Sequence, residues 1–185
     1  MTYYNLIFKT YIKMKKSMKK VLCALALLAL PFAMQAQTKY HDVELNDATG
    51  PVKSIKTEVM GESVTNTFSK EGKLESGSMT DIVYDADGFA QSGNMDMRGQ
   101  KIALRMKWEN GKLVGQSMNM MGQDVEVKFT FGAKGERTSQ TLNMGGQNME
   151  MPYEDYQFDA RGNWISRKSN MMGRDMVEKR TIEYY

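Results

Sequence analysis

Cysteine and histidine are nearly missing from this chain: 185 residues hold one of each, Cys23 and His41. Cys23 falls in an apolar run close to the start, so the rest has no disulfide, no thiolate nucleophile and no cysteine metal ligand. Any Ser-His-Asp arrangement would have to use His41. That residue lies in a polar N-terminal stretch and reads as loosely held. Helical periodicity is absent past Gly50, so no glycine-rich loop leads into a helix and phosphate cradles are excluded. No apolar run reaches the roughly 20 residues that cross a bilayer. No cofactor motif is present.

The longest apolar run, Val21 to Ala33, follows a basic stretch made by Lys13, Lys15, Lys16, Lys19 and Lys20. Met34-Gln35-Ala36 then puts a small residue at a cut site. Residues 1–36 therefore read as a secretory signal peptide, with Met14 or Met18 as alternative starts and cleavage expected after Ala36. Cys23 sits too early in the run for a lipoprotein cysteine. The expectation is export, to the periplasm, the outer-membrane surface or the exterior, with no transmembrane segment in the mature chain.

Six of the 25 basic residues, and no acidic ones, lie in that leader, leaving 19 basic against 22 acidic residues. The net charge passes from +3 to −3, and the basic pI belongs to the targeting segment. The case for nucleic-acid binding leaves with it. The remaining 149 residues suffice for one domain with its own core. Residues 37–49 read as a polar lead-in and residues 50–185 as one β-repeat domain.

Glycine is what the chain has in quantity, and its spacing carries the fold. An eleven-residue step separates Gly50 from Gly61, Gly88 from Gly99, Gly111 from Gly122, Gly135 from Gly146, and Gly162 from Gly173. Between the glycines the pattern has period two. Ile102, Leu104, Met106 and Trp108 share one face, as do Val125, Val127, Phe129 and Phe131, which marks half-buried strands. The alternation slips between Tyr153 and Tyr156, which predicts a β-bulge near Glu154-Asp155. Turns of one kind put a polar residue before glycine, as in Asp87-Gly88, Asn110-Gly111 and Arg161-Gly162. Asn-Gly and Asp-Gly suit hairpin turns whose central residues need positive φ. Turns of the other kind often read Met-Gly-polar, as in Met60-Gly61-Glu62 and Met121-Gly122-Gln123. The unit from Gly72 to Gly88 is short, and its second turn, expected near Met79 to Asp81, lacks a glycine. The prediction is all-β: an up-and-down antiparallel meander of about twelve short strands, curled into a sheet or barrel.

Two turns carry a family likeness. Tyr84-Asp85-Ala86-Asp87-Gly88 and the run from Tyr156 through Asp159 and Gly162 to Trp164 resemble the tyrosine–aspartate repeat of RHS-type proteins. Trp108-Glu109-Asn110-Gly111 and Phe131 to Gly135 keep the aromatic and the glycine without the aspartate. The resemblance implies a small secreted repeat protein in which Tyr84, Asp85, Gly88, Asn110, Gly111, Asp159 and Gly162 are structural. It implies no catalytic residue.

Methionine is the compositional oddity: 14 of the 18 lie beyond the leader. In an up-and-down meander alternate turns share one end, so the Met-Gly turns gather there. Met95/Met97, Met118/Met120 and Met149/Met151 are spaced two apart and point to one face. With Met121, and with Trp108 and Trp164 as strand-end aromatics, they define a candidate rim for a protein, peptide or glycan ligand. Thioethers also select Cu(I), which makes Met118, Met120, Met149 and Met151 a candidate soft-metal set. The same methionines serve equally as pliable core filler, and the tryptophans as core. Asp85 and Asp87 resemble a fragment of a calcium loop but lack its other ligands, so an Asx-type turn is the reading. Glu109, Glu154 and Asp155 are the carboxylates available to a hydrolase. The leading expectation is a non-enzymatic, exported binding or structural module; a soft-metal carrier and a carboxylate hydrolase are the alternatives.

Overall fold

A computed structural model describes residues 39–185 apart from 98, 121 and 172, with nothing of the Met171 side chain. The leader, and Met121 of the proposed rim, lie outside the described residues. The chain forms an up-and-down sheet of twelve antiparallel strands: β1 (Val52–Val59), β2 (Glu62–Phe68), β3 (Leu74–Ser76), β4 (Met79–Tyr84), β5 (Ala90–Met97), β6 (Gln100–Glu109), β7 (Lys112–Met120), β8 (Gln123–Phe131), β9 (Arg137–Met144), β10 (Gln147–Phe158), β11 (Trp164–Met171) and β12 (Arg174–Tyr184). In space β12 returns to pair with β1, which leaves β3 and β4 as the two edges of a nearly closed barrel. Among the described residues no helix is long and apolar enough to cross a membrane.

The expected turn chemistry is present. Met60 and Gly61 both take positive φ, as do Asn110 and Gly111, the conformation of a tight hairpin turn. Asp85 Oδ1 accepts the amides of Asp87 and Phe89, and Asp159 Oδ1 accepts those of Arg161 and Asn163. Each aspartate thus replaces ladder partners that the reversing backbone has lost. The β10 register shifts between Glu154 and Gln157, where Asp155 has φ +51°, as the slipped alternation predicts.

The degenerate unit differs from expectation. The chain crosses from β3 to β4 at Gly77-Ser78, not near Met79 to Asp81, and these two strands do not pair. Asn66 explains the place. A Cβ on Gly77 would lie 1.9 Å from Asn66 Oδ1, the same oxygen that accepts the Ser78 amide. Only glycine leaves room for that side chain.

The lead-in also differs. It is a plug. Residues 42–45 form a short helix, α1 (Asp42–Leu45), whose Val43 and Leu45 are buried in the barrel. Asp42 is fully buried, and its Oδ2 accepts from the Leu74 amide on β3 (2.7 Å) and the Tyr84 hydroxyl on β4 (2.6 Å). One carboxylate therefore bridges the two edge strands that share no ladder. His41, expected to be loosely held, stacks on Phe89 at 3.8 Å and donates its amide to Gly88. Gly88 lies so close beneath that a Cβ would meet the Lys39 carbonyl at 1.8 Å. Polar residues misled the reading here, because their partners are strand edges and turns distant in sequence.

Two apolar clusters fill the interior. Val43, Ala48, Val52, Ile55, Phe68 and Leu74 form one. Leu45, Ala90, Leu104, Met106 and Leu113 form the other. Met79 and Ile82 of β4 pack against both, so the seam is apolar inside and polar at the plug.

Candidate functional site

Polar turns, the plug and the start of β1 share one end of the barrel; the Met-Gly turns share the other. The inner faces of β9 to β12 carry, near the plugged end, a group of charges that the apolar clusters leave uncovered. Asp47 of the plug is its centre, held at φ +56°, a conformation aspartate tolerates better than most residues. Its Oδ2 accepts from Trp164 Nε1 (2.9 Å) and lies 3.3 Å from Arg167, while its Oδ1 lies 3.4 Å from Arg137 Nε. Arg167 also grips Glu178 with Nε and a terminal nitrogen, at 2.8 and 2.7 Å. Arg180 donates to the Asp47 carbonyl and stacks on Trp164 at 3.5 Å, with Arg167 Cζ 4.0 Å from the same ring.

Three guanidinium groups thus share two carboxylates. Burial holds the Arg180 pKa down to about 9; Asp47 opposes this, and Arg167 and Arg137 add repulsion. Burial lowers Arg137 as well, against the pull of Asp47. In Arg167 burial is the largest influence and lowers the pKa, but Glu178, Tyr153 and Tyr156 together outweigh it, and the pKa rises. Buried Tyr153 is pushed up to about 12, chiefly by desolvation, although Arg167 lies over its ring at 3.7 Å.

Beside this cluster, a cleft of about 670 Å³ opens between the plug and the turns after β6, β8 and β10. Leu113, Phe131, Phe158 and Trp164 give it apolar walls; Lys112, Lys134, Glu44, Glu136 and Arg137 give it charge. The volume falls in the usual range for small-molecule sites. Phe158 is 48% exposed, a large ring left open at the cleft wall. Lys112 Nζ sits 5.1 Å from the Phe131 ring centre.

The residues proposed from sequence divide between the two ends. Trp108 and Trp164 lie at the plugged end, away from the methionines. Trp108 packs on the second apolar cluster and donates Nε1 to the Ala90 carbonyl; Trp164 is buried against the charge cluster. The ladder puts Met95 opposite both Met79 and Ile102, Met118 opposite Leu104 and Val125, and Met144 opposite Val125, all on the inner face. Met149 and Met151 face inward opposite Leu142 and Gln140. Met120 follows Met118 on the same face. Met97 and Met144 are 41% and 49% exposed, whereas Met151 is buried at 8%. Glu109 and Asp155 lie on the outside, paired with Lys107 and Lys168. Glu154 is exposed as well. Asp85 spends both oxygens within its own turn region, the second on Gln91. Among the described residues no group of three or more histidine, cysteine or carboxylate side chains is placed to hold a metal.

Sequence reasoning missed Asp47, Arg137, Arg167, Glu178 and Arg180. The available signal was arginine at inward positions of alternating strands, as in Arg180 between Glu178 and Ile182. No family model matches this chain, and no curated protein matches it.

Proposed function

We propose that this is an exported, non-enzymatic binding module of the cell envelope or exterior, a small relative in kind of the tyrosine–aspartate repeat proteins, with its ligand site in the plugged-end cleft. One observation carries the reading: an open cleft with apolar walls and several charged groups, held by turns of a single continuous sheet. A scaffold of this kind holds its lining residues in place before a ligand arrives, which lowers the ordering cost of binding. The leader supports the location. The carboxylates singled out from the sequence, Glu109, Glu154 and Asp155, lie outside the cleft, paired with lysines or facing solvent.

The test is two-dimensional NMR of residues 37–185 titrated with a fragment set. Shifts confined to Leu113, Phe131, Arg137 and Trp164 are expected. Shifts at the methionine methyls of the opposite mouth, with the cleft silent, overturn the assignment.

A second reading, soft-metal binding, draws on the inward-facing Met118, Met120, Met149 and Met151, since Cu(I) favours thioether ligands. An anaerobic Cu(I) titration with no binding tighter than about micromolar removes it.

A further inference from the structure

The charge cluster is incomplete, and the missing partner defines a ligand. Of its three arginines, Arg167 is saturated by Glu178, Asp47 and the Tyr156 hydroxyl. Arg180 is anchored by the Asp47 carbonyl and the Trp164 ring; its Nε also lacks an acceptor, but it does not line the cleft. Arg137 is different. Its side chain is 10% exposed, its Cζ lies 4.0 Å from the Phe129 ring centre, and its Nε finds no hydrogen-bond acceptor. Its only ion partner among the described residues is Asp47, at 3.4 Å and already shared with Arg167 and Trp164. Of the three carboxylates that line the cleft, Asp47, Glu44 and Glu136, only Asp47 pairs with it. Glu136 folds back under its own turn, where a Cβ on Gly132 would lie 2.6 Å from its Oε1, and Glu44 lies 3.7 Å from His41 Nδ1.

A guanidinium that is stacked, buried and short of acceptors is costly unless an anion completes it, and its planar fork suits a carboxylate held by two parallel hydrogen bonds. Arg137 is also the arginine that lines the cleft, with Lys112 and Lys134 adding positive charge at the rim and Leu113, Phe131 and Phe158 forming the apolar wall.

We infer that the cleft binds a ligand bearing a single carboxylate on an apolar or aromatic body, the carboxylate on Arg137 and the body between Phe131, Phe158 and Leu113. The surplus is one positive charge for three guanidinium groups and two carboxylates, which matches a monoanion better than a phosphate dianion. Two sources share this chemistry: a free organic acid and the C-terminus of a peptide ending in an apolar residue. The inference rests on the cleft being the ligand site.

The probes are 3-phenylpropanoate against 3-phenylpropanol, and N-acetyl-phenylalanine against its amide, each titrated into residues 37–185 by calorimetry and NMR. Each acid is expected to bind at least about tenfold more tightly than its neutral counterpart, the range of a charged hydrogen bond. Arg137→Gln is expected to abolish that preference and Arg137→Lys to keep part of it, with NMR spectra reporting that each variant is folded. Preference confined to the first pair identifies a free acid; preference in the second pair as well identifies a peptide terminus. If acids and neutral probes bind the cleft equally, the carboxylate assignment fails while the cleft survives. If no probe perturbs the cleft, the site itself is wrong. Because the acid–neutral comparison is made on the unmodified chain, a misfolded variant leaves it intact.

Discussion

One sheet supplies both ends of the barrel, yet the ends differ in what covers them. The plugged end is sealed by a segment that precedes the first strand, and its interior charges bind that segment: Asp42 ties the seam and Asp47 ties three arginines. Among the described residues nothing comparable covers the methionine end, and its inward residues reach solvent, with Met144 and Val64 about half exposed (49% and 50%). An inward-facing position is therefore not automatically a core position. Depth along the barrel decides, and so does whether another segment covers the opening.

The largest expected effect belongs to Asp47→Ala. It strands Arg137 and removes one partner of Arg167, and breaking a buried ion group costs about 3–5 kcal/mol. Urea unfolding of residues 37–185 measures it, and Asp47→Asn, which keeps acceptor oxygen, should lose less. If the alanine variant loses less than about 1 kcal/mol, the plug does not hold the barrel.

Next comes Asp42. Asp42→Ala leaves the Leu74 amide without its partner in the interior, for a loss of about 1–3 kcal/mol. The same carboxyl gives a pH signature. Burial raises its pKa above 3.8, against the opposing Leu74 amide, Tyr84, Lys73 and His41. The folded chain thus keeps a proton that the unfolded chain sheds near 3.8, so stability falls as pH rises from 3.8 through the folded-state value and levels off above it. Glu44, also raised by burial, adds a slope of the same sign. Urea midpoints across that window should show a shallower slope in Asp42→Asn; an unchanged slope places the effect elsewhere.

At the opposite end, Met97→Ala and Met144→Ala should each cost under about 1 kcal/mol, because partly exposed side chains bury little and leave no closed cavity. Losses as large as that of Asp47→Ala would show a packed mouth and erase the contrast. The smallest change should have the opposite sign. Met60 holds φ +52° at 76% exposure, so Met60→Asn should stabilise by about 0.5 kcal/mol, since asparagine tolerates that conformation. A lower thermal midpoint would mean that the methionine side chain contributes contacts of its own.

Much of this was legible before any coordinates. Glycine spacing announced the meander, period two identified the inward faces of β6 and β8, and a slip of one residue located the bulge in β10. The seam was not legible, because a degenerate turn does not say which strands pair: the turn was expected near Met79 to Asp81, and its place at Gly77-Ser78 is set by Asn66. The plug was read as a loose lead-in because His41, Asp42 and Asp47 count as solvated until their partners are known. The candidate site suffered in the same way. Methionine spacing located one mouth, while the cleft draws on the plug and on the turns after β6, β8 and β10, regions far apart in sequence.

Local chemistry settled most of what depends on neighbours in sequence: where the chain reverses outside the seam, which side chains share a face, and which aspartates brace a turn. Those are properties of a few consecutive dihedrals and their nearest hydrogen-bond partners. Tertiary structure alone decided that β12 meets β1, that a polar segment seals the opening, and that three arginines converge on two carboxylates. Charges on separate strands have no fixed distance until the sheet curls, and only distance turns them into a cluster with one cation to spare.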